Sequence, residues 1–319
     1  MWYLFKVITF ITNLGAIHGA FRYQRSVNPE TNMNISQIIS YWGYPDEEYD
    51  IVTEDGYILG LYRIPYGKIK SDNNSAQRRV VYLQHGLLTS ASSWISNLPN
   101  NSLGFILADA GYDVWMGNSR GTIWSRKHLY LKSNSKEFWA FSFDEMAKYD
   151  LPASIDFIVK QTGQEKIFYV LFGNKDFLPN SPFTRIIGSK LCPQKIFVKI
   201  CSRILFMMCG YDQKNLNMSR VDVYMAHNPA GTSVQNILHW IQTTAPLYNV
   251  TNMNVSTATW NGANDLLADP EDVNILLSEI RNHIYHKTIS HYSHIDFLFG
   301  LDVYHQVYRE IIDIIQDHL

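Results

Sequence analysis

The segment Arg79-Val80-Val81-Tyr82-Leu83-Gln84-His85-Gly86 constrains the fold of this chain more than any other. Val80 to Leu83 are apolar without alternation, so both faces of the strand they form must be dry. Such a strand needs helices on both sides of its sheet, which means an α/β architecture. The run stops at His85-Gly86, where a glycine lets backbone come close to a ligand.

The neighbouring segments agree. Asp50–Thr53, the turn Glu54-Asp55-Gly56 and Tyr57–Tyr62 predict a hairpin, because Asp-Gly between apolar runs matches the twist of paired strands. A helix is predicted over Ser102–Ala110, closed by Gly111, then a strand over Tyr112–Met116 ending at Gly117. Asp144–Lys160 reads as a helix interrupted at Pro152 and stopped by Gly163, and Ile167–Val170 as a further strand. Strands alternating with helices make the sheet mostly parallel, with the hairpin at one edge. Residues 171–250 lose this rhythm and read as a helical or irregular insertion. The rhythm returns at Asn254–Asn261 and closes with a helix over Val303–Gln316, where Val303, Val307, Ile311 and Ile314 share one face.

The start of the chain bears on its compartment. An apolar stretch from Val7 to Ile17 is followed by small residues, which predicts a secretory leader over residues 1–19. A short membrane anchor is the alternative, but the stretch falls below the ~20 apolar residues that a spanning helix needs. Six N-x-S/T sequons, at Asn34, Asn73, Asn100, Asn217, Asn249 and Asn254, agree with export. Of the three cysteines Cys192, Cys201 and Cys209, two would pair in an oxidising compartment, and spacing alone does not choose the pair. With 27 Lys plus Arg against 29 Asp plus Glu, the chain lacks the basic excess of a nucleic-acid binder.

Three features point to one chemistry. His85-Gly86-Leu87, at a buried strand end, places a backbone N–H where an oxyanion hole would need it; a plain strand-to-loop turn is the alternative. Asp265 follows a strand in Trp260-Asn261-Gly262-Ala263-Asn264-Asp265, where an acid either orients a histidine or helps a turn. His294 lies in a loop before the last helix, so the order acid then histidine is that of an α/β-hydrolase. A metal held by His291, His294 and Asp296 is the rival, but no helix carries them at i, i+4 spacing.

On these residues the chain resembles the mammalian acid lipases, the gastric and lysosomal acid lipase family. The matching stretches are Met33–Ser36 with Tyr41–Pro45, Thr53–Tyr57, Leu83–Leu88, Gly104–Gly121, Phe138–Ala153, Asp222–Gln235 and Asn261–Asp269. The resemblance implies an α/β-hydrolase core over residues 20–170 and 251–319, with a cap over 171–250. It implies secretion or lysosomal delivery, no cofactor, a monomer, and hydrolysis of triacylglycerols or cholesteryl esters at a lipid–water interface. It makes Asp265 and His294 the acid and base of the triad, Leu87 an oxyanion donor, and Cys192–Cys201 the disulfide with Cys209 free.

One departure matters for the chemistry. The family's nucleophile lies in Gly-His-Ser-Gln-Gly directly after the strand matching Ile167–Val170. Here Val170 runs into Leu171-Phe172-Gly173-Asn174-Lys175-Asp176, which resembles the cap instead. The elbow, the helix behind it and the next core strand are missing, and cap sequence is also absent between Gln242 and Thr243. Core and cap are therefore expected to be truncated. Gly117-Asn118-Ser119-Arg120-Gly121 satisfies G-x-S-x-G, but Thr122–Arg126 does not open a helix, so Ser119 is an unpromising substitute.

Overall fold

The structure is a computed structural model that describes residues 27–68, 77–171, 214–241 and 248–318. The leader over 1–19, Asn73 and the three cysteines lie outside the described residues.

The uniformly apolar run becomes strand β3, Val80–Gln84, in the interior of a six-stranded mixed sheet. The hairpin forms β1 (Glu47–Val52) and β2 (Tyr57–Ile64), paired antiparallel. Helix α1 (Ile35–Tyr41) precedes them, and helix α2 (Leu103–Asp109) leads into β4 (Asp113–Gly117). The strand order is β1-β2-β4-β3-β6, where β6 is Phe168–Leu171, and the short β5 (Lys127–His128) pairs with β2. β3 runs parallel to both β4 and β6, while β2 meets β4 antiparallel.

Both faces of β3 are dry. Val81 and Leu83 join the core built from α1, α2 and the last helix, through Ile35, Ile38, Phe105, Leu107, Val307 and Ile311. Val80 and Tyr82 face the other way, against Trp115, Phe138, Phe141 and Ile158.

Helix α3, Leu151–Thr162, corrects the expected break at Pro152. The chain enters through a π-helical turn, Met146–Asp150, and Pro152 follows directly in the first turn of α3, so the helix runs on past the proline. Gly163 ends the helix at φ 69°, as a left-handed cap.

In the former insertion the described part holds α4 (Val221–His227) and α5 (Val234–Ile241). The C-terminal unit has β7 (Thr257–Gly262), α6 (Pro270–Glu279) and β8 (His283–Ile289), of which sequence reading found only β7. β7 and β8 pair parallel in a sheet of their own. The last helix is a π-turn, Tyr304–Tyr308, followed by α7, Arg309–Asp317. Its buried stripe ends on Ile315 rather than on Ile314, a spacing of four that the wider π-turn favours. Glu310 on α7 anchors the small sheet by accepting from Trp260 Nε1 (2.9 Å), Tyr285 Oη (3.0 Å) and Lys287 Nζ (2.6 Å).

Among the described residues no strand pairs with the outer side of β6, whose Tyr169 and Leu171 are 41% and 50% exposed. Phe168–Leu171 carries no charge and no proline, so among the described residues nothing blunts this edge against another chain. Replacing Tyr169 and Leu171 by lysine is expected to lower self-association, read by light scattering, while the unfolding free energy changes by only ~0.5 kcal/mol per site. Undiminished association of the variant would place the sticky surface elsewhere.

Candidate active site

The acid and the histidine are brought together by backbone. β7 ends at Gly262, where any side chain would collide with the Tyr292 carbonyl. The loops after β7 and β8 can therefore lie against each other. Ala263 N–H donates to Ile289 O (3.0 Å) and Asn264 N–H to Tyr292 O (3.0 Å). This zipper sets Asp265 Oδ2 2.9 Å from His294 Nδ1, with the two side chains 3% and 9% exposed. Asp265 Oδ1 accepts from Leu267 N–H (2.8 Å) and Ala268 N–H (2.9 Å), so the carboxylate is fixed before it meets the ring. A carboxylate at Nδ1 selects the tautomer protonated there and leaves the Nε2 lone pair outward. No hydrogen bond among the described residues engages Nε2.

The histidine loop is braced by residues that the sequence did not single out for this purpose. Asp296 is 1% exposed and accepts from Ser293 N–H and Ser293 Oγ, both at 2.7 Å. Asn215 Nδ2 adds a bond to its other oxygen at 3.2 Å. His291 goes elsewhere, to Asp302 at 3.0 Å. His291, His294 and Asp296 thus serve three different partners. Among the described residues no group of three or more His, Cys, Asp or Glu could hold a metal ion.

The turn holding Leu87 is stitched by His85. His85 Nδ1 donates to Gly86 O (2.7 Å) and Nε2 accepts from Ser119 N–H (2.9 Å). Burial pushes the His85 imidazole down to about 4, so it is neutral and free to accept. Leu88 has φ 61°, the only non-glycine residue with positive φ among those described, and its carbonyl accepts from Ala230 N–H at 2.5 Å. No hydrogen bond among the described residues engages the Leu87 N–H.

Ser119 is occupied differently. Its hydroxyl accepts from Gln84 Nε2 at 3.1 Å and its carbonyl from Thr122 Oγ1 at 3.0 Å. A turn follows it, not a helix, and its φ is not left-handed. No bond joins it to His294. The other members of the motif have structural duties. Asn118 Nδ2 donates to Gly60 O (2.9 Å), and its Oδ1 accepts from Ala91 N–H (3.0 Å). Gly121, at φ 82°, leaves room for the Phe141 ring. Arg120 is 1% exposed and binds Asp55 (2.6 and 2.9 Å) and Asp150 (2.8 Å) beneath the Tyr57 ring. Sequence reading missed this trio because Asp150 and Asp55 lie 30 and 65 positions from Arg120, and the motifs that hold Asp55 and Arg120 were singled out for other residues.

Comparison with known proteins follows the same lines. The family described as a partial alpha/beta-hydrolase lipase region matches residues 35–98, and the alpha/beta hydrolase fold matches residues 79–172. Human Lipase member J is 64% identical over 366 positions, covering 90% of this chain and all of that protein. Human gastric triacylglycerol lipase is 46% identical over 396 positions, covering 99% of each. The lysosomal acid lipase/cholesteryl ester hydrolase of Macaca fascicularis is 45% identical, covering 92% of this chain and 93% of that protein. An alignment of 396 positions against 319 residues leaves at least 77 positions of the gastric enzyme with no counterpart here. Among solved structures, an alpha/beta hydrolase fold protein from Nakamurella multipartita (TM-score 0.56, 10% identity, 86% of this chain and all of that one) shares the fold. So does a putative aryl esterase from Burkholderia cenocepacia (TM-score 0.54, 14% identity, 85% and 98%).

Two outcomes test this construction. Arg120→Met leaves the Asp150 carboxylate buried without its partner, and is expected to cost ~3–5 kcal/mol in denaturant unfolding. Adding Asp150→Leu should recover a large part, because an apolar pair replaces a broken ion pair; no recovery would mean that the trio is not one unit. For His85, the unfolded chain takes up a proton near the ordinary 6.5 and the folded chain only near 4. Stability therefore falls as pH drops through that window, by roughly 3 kcal/mol. His85→Gln removes this contribution, so its loss of stability between neutral and acid pH should be smaller by that amount.

Proposed function

From a chain that belongs to the acid lipase family of α/β-hydrolases, we propose a lipid-ester-binding protein that keeps the acid and base of the family's hydrolysis but not its nucleophile. The ester class is that of neutral lipids, triacylglycerols or cholesteryl esters, and the compartment is the secretory pathway or lysosome. Asp265 would hold the His294 tautomer and stabilise its imidazolium, His294 Nε2 would take the nucleophile's proton, and the Leu87 N–H would serve as one oxyanion donor.

The observation that carries this reading is the unequal state of the two partners. The 2.9 Å Asp265–His294 pair is assembled, while the Ser119 hydroxyl is bonded to Gln84. Acyl transfer requires the attacking oxygen within ~2.6–3.2 Å of its base. Removing the serine of such a triad costs ~10⁶ in kcat. The second oxyanion N–H ordinarily belongs to the residue after the nucleophile, so it is lost together with the serine. An ester can then be held but not turned over.

The expected outcome is no burst with a p-nitrophenyl ester and no labelling by a fluorophosphonate probe. The same chain carrying a restored Gly-His-Ser-Gln-Gly elbow with its helix and strand should label. Stoichiometric labelling of the chain as it stands, abolished by Ser119→Ala, would make Ser119 a nucleophile and overturn the proposal.

A further inference from the structure

β8 carries one residue more than β7 over the same stretch. Thr257 pairs with His283 and Ala258 with Tyr285, so Ile284 bulges out of the ladder. Residues three apart on a strand ordinarily point to opposite faces. The bulge cancels that alternation. His283 and His286 therefore stand on one face, opposite Thr257 and Thr259 of β7. Both rings are half-buried, and both turn toward one atom. Thr259 Oγ1 lies 2.8 Å from His283 Nε2 and 3.0 Å from His286 Nδ1, and the ring centroids are 5.9 Å apart.

The far side of the His286 ring is fixed. The Thr288 hydroxyl donates its one proton to Asn261 Oδ1 at 2.7 Å, so it can only accept from His286 Nε2–H, at 3.1 Å. The lone pair of the neutral ring is thereby placed on Nδ1, facing Thr259 and His283. An outer N–H held by a hydrogen bond is how a metal-binding imidazole is oriented. The spacing suits a shared ion, because two rings bound to one cation through nitrogen at ~2.0–2.1 Å have their centres ~5–6 Å apart. Lys287, next to His286, points to the other face and is paired with Glu310 at 2.6 Å, so its charge is not presented to the rings.

We propose that His283 Nε2 and His286 Nδ1 form a binding site for a divalent cation of the zinc class. Thr259 Oγ1 is a weak third neighbour, and water completes the shell. Two imidazole nitrogens without a carboxylate select zinc or copper over magnesium and calcium, which require oxygen ligands. Without the ion, the Thr259 proton serves His286, and His283 closes the bridge with its own Nε2–H. On binding, that His283 proton moves to Nδ1 of the same ring through solvent, so the ring changes tautomer and no proton is released. The freed Thr259 hydroxyl then has Tyr285 O as its acceptor, 3.4 Å away. The ion ties the bulge of β8 to β7, in the sheet whose loops carry Asp265 and His294. It does so whether or not the chain has a nucleophile.

The test is titration of the thiol-alkylated chain with zinc chloride, followed by calorimetry and by histidine-ring 1H–15N spectra. One equivalent should bind. It should shift one Nε2 and one Nδ1 resonance, those of His283 and His286, and leave the Asp265-bound Nδ1 of His294 in place. His283→Gln and His286→Gln should each weaken binding about tenfold or more, and His291→Gln should leave it unchanged. Thr288→Val removes no ligand but frees the His286 ring, and should weaken binding about tenfold. Excess magnesium should not compete. If a glutamine variant fails to fold, the ring spectra of the unsubstituted chain decide. No uptake of zinc, zinc held equally by both glutamine variants, a Thr288→Val chain that binds as tightly as its parent, or movement of other histidines instead would each overturn the assignment.

Discussion

Arg120 places a guanidinium in a site that is 1% exposed, and much of the N-terminal core is arranged around it. It reaches the hairpin turn through Asp55, the entrance of α3 through Asp150, and the Tyr57 ring through its face. The two acids respond differently. Burial pushes Asp150 up to about 6 against the pull of Arg120. Asp55 also feels burial, but its bonds to Arg120 and Thr53 hold it below the usual carboxylate range. Arg120 itself stays charged because two carboxyls surround it. The trio ties the β1–β2 turn, the end of β4 and the turn before α3 into one unit on one side of β3.

That rigidity gives the Gly117–Gly121 turn, which matches G-x-S-x-G, a set of structural duties. The sharp exit from β4 is required by the burial of Arg120 and by the two bonds of Asn118. Ser119 then lies between Gln84 and His85 as a spacer in a structural turn. The Asp265–His294 pair depends on none of this. Its geometry comes from the zipper between the loops after β7 and β8 and from the brace at Asp296. The Asp265–His294 pair is therefore held in register independently of the turn that carries Ser119.

The same separation leaves its mark on the sheet. Among the described residues β6 is an unpaired edge, and β7 with β8 forms a second sheet joined to the body through α7 and Glu310 rather than through strand hydrogen bonds. Side-chain anchoring of this kind keeps the acid and base near the core while β6 goes without an outer partner among the described residues.

Local pattern determined a good deal by itself. The apolar run at β3, the Asp-Gly hairpin, the glycine stops at Gly111 and Gly163, and the strand leading to Asp265 were legible because each rests on burial or on a turn within a few residues. The pairing of Asp265 with His294 was legible only as an order along the chain and through resemblance to the acid lipases. The mixed direction of the sheet, β8 and α6, the course of the chain past Pro152, and the duty of Arg120 were decided by tertiary structure. His283–Ile289 carries histidine, lysine and threonine that gain their strand from β7 alone, and its neighbour α6 buries no residue of its own. Arg120 sits among tyrosine and phenylalanine rings with acids brought from 30 and 65 positions away. A buried charge is legible only once its partners are known, because the energy that places it belongs to the pair.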